Sequence, residues 1–306
     1  MVAAAASGIR AATADGFAPD VMHAHFFLAG FAAVLLGRRR RLPVVVSEHW
    51  SVFLPDDPAS LSRAMRAGAR FTLERADLVL PVSEALELGI AAHGINAKTR
   101  VVPNVFDERL FHLPAHPHRG DPPRLLAVGM FYGAKGIDLL IEAAAKLRAR
   151  NRAFRVDIVG DGDLRAGYEQ LARDRGVDDI VTFSGLRPKP EVAELMRGAD
   201  VFVLPSRYDN NPCALIEALA TGLPAVATDV GGVAEILGDD GILTRPDPDM
   251  LASSIEDAID RRDDFDRQAI AARAMVRYSA QRVGRELAEI YADLTKERKS
   301  QRHASG

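Results

Sequence analysis

The residues best placed to do chemistry lie in PSRYDNNPCALIEALATGLPAVATDVGGVAEIL, from Pro205 to Leu237. The pattern reads as a strand end, a polar loop, a helix, a second strand and a glycine turn. Pro212 suits the first helical position, because its ring presets φ and its missing N–H would have had no partner there. Asn211 is the expected N-cap, and Gly222 is expected to end the helix in a left-handed conformation. The amides of Cys213, Ala214 and Leu215 would then point out of a helix N-terminus that follows a strand, which suits phosphate. Glu217, about one turn further on, could accept hydrogen bonds from sugar hydroxyls. An anion cradle beside a carboxylate suggests a nucleotide with its ribose. The competing reading is an amphipathic helix with a solvated glutamate.

A second constellation is AVGMFYGAKG, Ala127 to Gly136. It places Gly129, a further glycine turn and Lys135 at a strand end, where a fixed ammonium can neutralise a developing diphosphate. A surface lysine in a βα turn is the alternative. SEHWS, Ser47 to Ser51, puts His49 at the carboxyl end of an apolar strand, expected to face a cleft. His23 and His25 fall on one strand face and could ligate a metal. They have no acidic or cysteine partner at ligand spacing, so lining the interdomain cleft is the favoured reading. Gly231 and Gly232 form a flexible βα turn. Gly160 to Gly162 read as a tight turn at a strand's carboxyl end, where such sheets bind ligands, with a bare connecting turn the favoured reading. His112, His116 and His118 could ligate a metal, but their spacing matches no strong ligand pattern and a solvated linker is favoured.

Alternating strand-like and helix-like runs must position these residues, which argues for α/β folding on parallel sheets. In the second half, strands are expected at Leu125–Val128, Val156–Val159, Val181–Phe183, Val201–Leu204, Ala225–Thr228 and Ile242–Leu243, with a helix over Asp138–Arg148. The first half offers four strands: Val21–His25, Val44–Ser47, Leu78–Val82 and Arg100–Val102. The proline-rich stretch 114–123 reads as a linker between a first domain, 1–113, and a second, 124–278. The helical segment Gln281 to Arg298 carries Val283, Leu287, Ile290, Tyr291 and Leu294 on one face.

At 306 residues the chain has room for two domains, and 48% hydrophobic with 26% charged residues is ordinary for a globular protein. A net charge of −3 offers no general attraction to nucleic acid. The single cysteine, Cys213, excludes an internal disulfide and fits a reducing cytoplasm. The longest apolar run, Phe26 to Leu36, is short of the ~20 residues a spanning helix needs. Met1 to Ala6 lacks the regions of a signal peptide. Arg38 to Arg41 suit a helix C-terminus, the favoured reading, and could also meet anionic lipid headgroups.

Nearly the whole chain resembles the family-4 retaining glycosyltransferases of the GT-B fold. Asp209 and Glu217 match the acid-x7-acid region, usually glutamate at both ends. AVGMFYGAKG resembles the VGR-x-x-x-x-KG motif, with Lys135 at the lysine position and Met130, which cannot pair with phosphate, at the arginine position. PDVMHAHF and PVVVSEH resemble segments well inside the first domain.

The resemblance implies two Rossmann-like domains with parallel sheets facing across a cleft. The first would be incomplete, lacking its opening strand and glycine-rich turn, and completed by a C-terminal helix at 279–298. An upstream in-frame strand and Gly-rich turn are therefore expected in the source DNA. The implied activity is hexosyl transfer from a nucleoside-diphosphate sugar to an acceptor hydroxyl with retained configuration, in glycan or polysaccharide biosynthesis, with no metal or other cofactor.

By the same resemblance Glu217 would hold the donor ribose and Asp209 would face the transferred sugar. The amides of Asn211, Cys213 and Ala214 would meet sugar and diphosphate, with Leu215 beside them. His49 would contact the donor sugar at the reaction centre; Gly129, Met130, Gly231 and Gly232 would lie close to the donor, and Arg187 would approach the nucleobase. The acceptor is open, lipid-linked hydroxyls included, and the expected location is cytoplasmic, with peripheral contact at the inner membrane face. Met130 and the missing turn support an alternative: a nucleotide-binding but inactive fragment or partner subunit. A Rossmann oxidoreductase is disfavoured, since no G-x-G-x-x-G follows a first strand.

Overall fold

A computed structural model describes residues 2–116 and 119–304. Two compact units result, Met1–Pro103 with Val283–Gly306, and Asn104–Arg282. Pro117 and His118 lie outside the described residues, and His112 and His116 are exposed.

In the first unit the chain runs α1 (Val2–Ala14), β1 (Met22–His25), α2 (Phe26–Arg40), β2 (Val44–Glu48), α3 (Arg63–Leu73), β3 (Leu78–Pro81) and α4 (Glu84–Ala92). The strands pair in parallel in the order β1-β2-β3, with His25 opposite Ser47 and Ser47 opposite Leu80. All of β2 is buried, as its unbroken valine run requires of a central parallel strand. α2 starts without a gap after β1, and His25 supplies no side-chain cap. The fully buried Glu48 carboxylate takes that role, accepting from the amides of Phe27 at 2.8 Å and of His49 and Trp50 at 3.0 Å each. Burial raises its pKa, and those three amides pull the other way.

The expected fourth strand at Arg100–Val102 does not form. That segment makes only single bonds beside β3, Arg100 N to Val79 O and Val102 N to Pro81 O, each at 3.0 Å. Pro81 of β3, with no amide to donate to Arg100 O, breaks the ladder there.

The second unit holds β4 (Arg124–Val128), α5 (Ile137–Ala149), β5 (Arg155–Val159), α6 (Arg165–Asp174), β6 (Val181–Gly185), α7 (Lys189–Arg197) and β7 (Val201–Leu204). It continues with α8 (Cys213–Ala220), β8 (Ala225–Thr228), α9 (Val233–Leu237), β9 (Gly241–Thr244), α10 (Pro248–Asp260) and α11 (Arg267–Tyr278). Six parallel strands stand in the order β6-β5-β4-β7-β8-β9, each where the apolar runs place it. Separate apolar clusters cover the two faces of this sheet, the doubly wound arrangement.

The boundary lies earlier than the prolines suggest. Residues 104–113 belong to the second unit, because Phe106 and Phe111 are buried against Phe202, Leu215 and Tyr278. The last helix, α12 (Ala280–Ala304), returns to the first unit from Val283 onward, where Val283, Ile290 and Leu294 pack on Val45, Leu78 and Leu80. Among the described residues no helix is long and apolar enough to cross a membrane.

Candidate active site

β4 and β7 are neighbours at the centre of the second sheet, and the winding direction reverses between them. Loops leaving the carboxyl ends of such strands diverge and open the crevice where α/β sheets bind ligands. Lys135 stands in the turn after β4 and Asp209 in the loop after β7. The Lys135 ammonium donates to Asp209 Oδ2 at 2.6 Å, with 21% of the lysine side chain and 11% of the aspartate exposed. Burial would lower the lysine pKa, but the charge and hydrogen bond of Asp209 outweigh it and the pKa is raised. The ammonium is therefore secure.

Backbone contacts fix this pair. Gly136 has φ +61°, and a Cβ there would lie 2.0 Å from the Pro205 carbonyl oxygen, so only glycine lets the lysine turn sit against the end of β7. Arg207 binds the same two segments together. Its guanidinium donates to the Asp138 carboxylate at 2.8 and 2.5 Å and to Gly133 O at 3.1 Å, and its amide donates to Ala134 O at 2.7 Å. Asp209 also accepts from Ser206 Oγ at 3.1 Å and from the Asn210 amide at 3.0 Å.

The start of α8 differs in detail from the sequence expectation. Pro212, with φ −67° and ψ 110°, is itself the cap residue, so the helix begins at Cys213. The Asn211 side chain is not the cap: its Oδ1 accepts from the Asn104 amide at 2.9 Å, and its carbonyl accepts from Asn104 Nδ2 at 2.8 Å. The Leu215 amide does not point outward either, because it donates to Pro212 O at 3.1 Å. The amides of Cys213 and Ala214 remain at the helix start without an intrahelical acceptor. Gly222, at φ +72°, leaves the helix as expected.

Glu217 is 6% exposed, not solvated, and accepts from Lys189 Nζ at 2.8 Å. That hydrogen bond raises the Lys189 pKa. The Cys213 thiol lies within electrostatic reach of Glu217, Lys189, Asp209 and Lys135, so both cation–carboxylate pairs cluster around the first residue of α8.

The remaining expected residues divide. Gly231, at φ +49°, and Gly232 form the turn between β8 and α9. Gly129 follows β4, but its amide is spent on Val159 O at 3.0 Å. Met130 is 47% exposed beyond the same strand end. Arg187 points into solvent beside Glu191, 3.4 Å away, and joins neither pair. Sequence reading missed Lys189, Arg207, Ser206 and Asn104. Lys189 opens α7 after Pro188, and a lysine in a loop after a strand of this sheet was the available signal; the others depend on tertiary contacts.

On the first unit, His49 follows β2 at its carboxyl end. Its Nε2 lies 3.1 Å from His25 Nδ1, and the two rings stack at 5.3 Å between centroids. His23 stacks on His25 at 4.8 Å and hydrogen-bonds Ser47 Oγ at 2.9 Å and the Tyr291 hydroxyl of α12 at 2.6 Å. Burial, with the nearby His25 and His49, lowers the His23 pKa to about 4. All three rings hold polar partners within the cluster. Among the described residues no group of three or more His, Cys, Asp or Glu is placed to hold a metal ion.

Two Rossmann-like units on parallel sheets, with a lysine turn, an acidic loop and a helix N-terminus at the switch point of the second, define the GT-B class of fold. The chain belongs to the glycosyl transferases group 1 family: that family's model matches residues 108–275, and the glycosyl transferase 4-like domain matches residues 1–105. It is 30% identical over 239 residues to the amylovoran biosynthesis glycosyltransferase AmsK of Erwinia amylovora, covering 75% of this chain and 58% of that protein. It therefore spans little more than half the length of that relative. Among solved structures, sucrose-phosphate synthase from Thermosynechococcus elongatus superposes with a TM-score of 0.80 at 23% identity, covering 91% of this chain and 74% of the other. Anabaena HepE in complex with UDP does so with 0.80 at 22%, covering 94% and 81%.

Proposed function

We propose that this chain transfers a sugar from a nucleoside-diphosphate sugar to an acceptor hydroxyl with retention of anomeric configuration. The observation that carries the reading is the Lys135–Asp209 pair at the switch point, beside the open amides of α8. Membership of the family supports it, as does the UDP held by HepE. A diphosphate binding here would draw the Lys135 ammonium and the Cys213 and Ala214 amides, and release Asp209 toward the sugar. Glu217, held by Lys189, would accept from the ribose hydroxyls.

In the reaction the bond between the anomeric carbon and the diphosphate oxygen breaks, and its electron pair leaves with the diphosphate. Lys135 and the helix amides stabilise that charge as it develops, which is electrostatic catalysis by groups already in place. The acceptor oxygen forms the new bond on the face the leaving group vacates, and its proton passes to the departing diphosphate. No separate general base is assigned to Asp209 or His49. His49, oriented by His25, would contact the sugar through a hydrogen bond. Charge neutralisation is assigned to the chain's own groups, without a metal.

A second reading, a nucleotide-binding subunit without turnover, is favoured by Met130, an exposed apolar side chain where the resembling motif has arginine. Both readings are tested together by melting the protein with UDP, GDP, ADP and their sugars. A ligand at a hundred times its Kd should stabilise the fold by about 2.7 kcal/mol, and Glu217→Ala should remove the effect. Donor consumption on adding an acceptor, with the product's anomeric configuration read by NMR, distinguishes the enzyme from the binding subunit. An inverted product would overturn the retaining mechanism, and the absence of any nucleotide shift would overturn both readings.

A further inference from the structure

The charge of the molecule is unevenly spread. The whole chain carries −3. Yet α2 and α3, counted with their closing residues Arg41 and Glu74, hold seven arginines against one carboxylate. The two helices pack on each other: Gly30 of α2 faces Thr72 of α3, and the Phe31 and Phe71 rings meet at 5.2 Å.

Helix-dipole chemistry accounts for only part of this charge. Arg38 to Arg41 close α2, where cations are favoured. Arg63 and Arg66 stand in the first turn of α3, the pole that disfavours them, and that turn contains no acidic residue. With Arg70 they recur at i, i+3 and i+7, so they form one exposed face. Among the described residues, Arg38, Arg39, Arg63 and Arg66 have no carboxylate partner.

An apolar ridge runs beside these arginines. Leu28 and Phe31, one turn apart on α2, are 44% and 36% exposed, and Leu35 and Arg38 continue the same stripe. The Arg75 guanidinium lies 4.4 Å over the Phe71 ring that abuts Phe31, so cation and aromatic surfaces are continuous.

We propose that this face of α2 and α3 docks on an anionic phospholipid membrane. The arginines would meet headgroup phosphates, and Leu28 and Phe31 would enter the boundary between headgroups and acyl chains. A soluble polyanion would satisfy the arginines but leave the exposed leucine and phenylalanine without a role, which favours the bilayer. The proposal stands independently of the transfer reaction, because none of these residues belongs to the donor site.

The test is sedimentation of the full chain with vesicles of phosphatidylcholine alone, or containing about 30 mol% phosphatidylglycerol, at low and high salt. Binding to the anionic vesicles only, released by salt, is expected. The triple variant Arg39→Gln/Arg63→Gln/Arg66→Gln should partition about a hundredfold more weakly, at roughly fivefold per arginine. Leu28→Ser/Phe31→Ser should also weaken binding, with both variants checked by their melting curves. Glu217→Ala should bind vesicles as the unaltered chain does, so the donor reading can fail without this one. No sedimentation of the unaltered chain with anionic vesicles would overturn the proposal. So would undiminished binding by a folded triple variant, and retention on heparin without vesicle binding would reassign the face to an anionic glycan.

Discussion

The two units handle polar chemistry in opposite ways. In the second, charge is stored in pairs: Lys135 with Asp209 and Lys189 with Glu217, gathered at one helix start. In the first, the corresponding strand ends carry imidazoles linked in series, from Tyr291 through His23 to His25 and His49. A leaving diphosphate needs fixed positive charge, and a neutral sugar needs directional hydrogen bonds without charge. Under the proposed reaction the leaving diphosphate therefore falls to the paired charges of the second unit, and the imidazoles of the first are assigned no charge to carry.

The largest expected effect concerns where the second unit begins. Phe106→Ala should cost about 3–5 kcal/mol, the usual penalty for emptying a buried phenylalanine site, and the loss should appear in the melting of the isolated segment 104–282 as well as of the full chain. A melt unchanged by the substitution would return residues 104–113 to the status of a tether. Next, Lys135→Ala should lower kcat by about 10²–10³-fold, the range seen when one preorganised donor to a developing anion is removed. If His49→Ala proved the more damaging of the two while Lys135→Ala retained most of the rate, the division of labour would be reversed.

A smaller and opposite effect is expected from Met130→Arg. A guanidinium at this exposed strand end should tighten nucleoside-diphosphate binding by about tenfold through a charge-assisted hydrogen bond, measurable by calorimetry. Unchanged affinity would show that the position does not face the phosphates.

The smallest effect is a pH dependence of the first unit. The folded-state pKa of His23 is about 4, below the ordinary 6.5. Between those values the unfolded chain takes up a proton that the native ring refuses, so stability falls as pH drops through that window and is unaffected above it. His23→Gln should flatten that part of the melting-temperature profile, and a profile identical to the parent's would show that the imidazole is not held neutral.

The second unit was legible almost strand by strand, because its buried strands are short, largely apolar runs between turn residues and its helices carry clear apolar faces. Lys135 and Asp209 stood out because each follows a strand by a short loop at the end of the sheet where ligands bind; Glu217 stood out one turn into the helix and by its acid-x7-acid spacing from Asp209. Their partners did not. Lys189 meets Glu217 across 28 residues and Asn104 meets Asn211 across 107, pairings that exist only once the sheet is wound. Asn211 looked like a cap since its type and position suit one, but a tertiary partner took its oxygen. Phe106 and Phe111 were passed over because the prolines that follow them spoke more strongly for a linker than two aromatic residues did for a core.

The pairing of Lys135 with Asp209 has one more consequence. An unliganded lysine pocket would act as an electrostatic lure, with capture rates that collapse as salt is added. Here the ammonium already has a counter-ion built into the chain, so under the proposed donor binding an arriving diphosphate would perform an ion exchange rather than a capture. The site projects little field into solvent, and its association rate should vary only weakly with ionic strength. Selectivity then comes from whether the incoming molecule gives the displaced Asp209 carboxylate something better to hold. A sugar with free hydroxyls would do so, and inorganic phosphate would not.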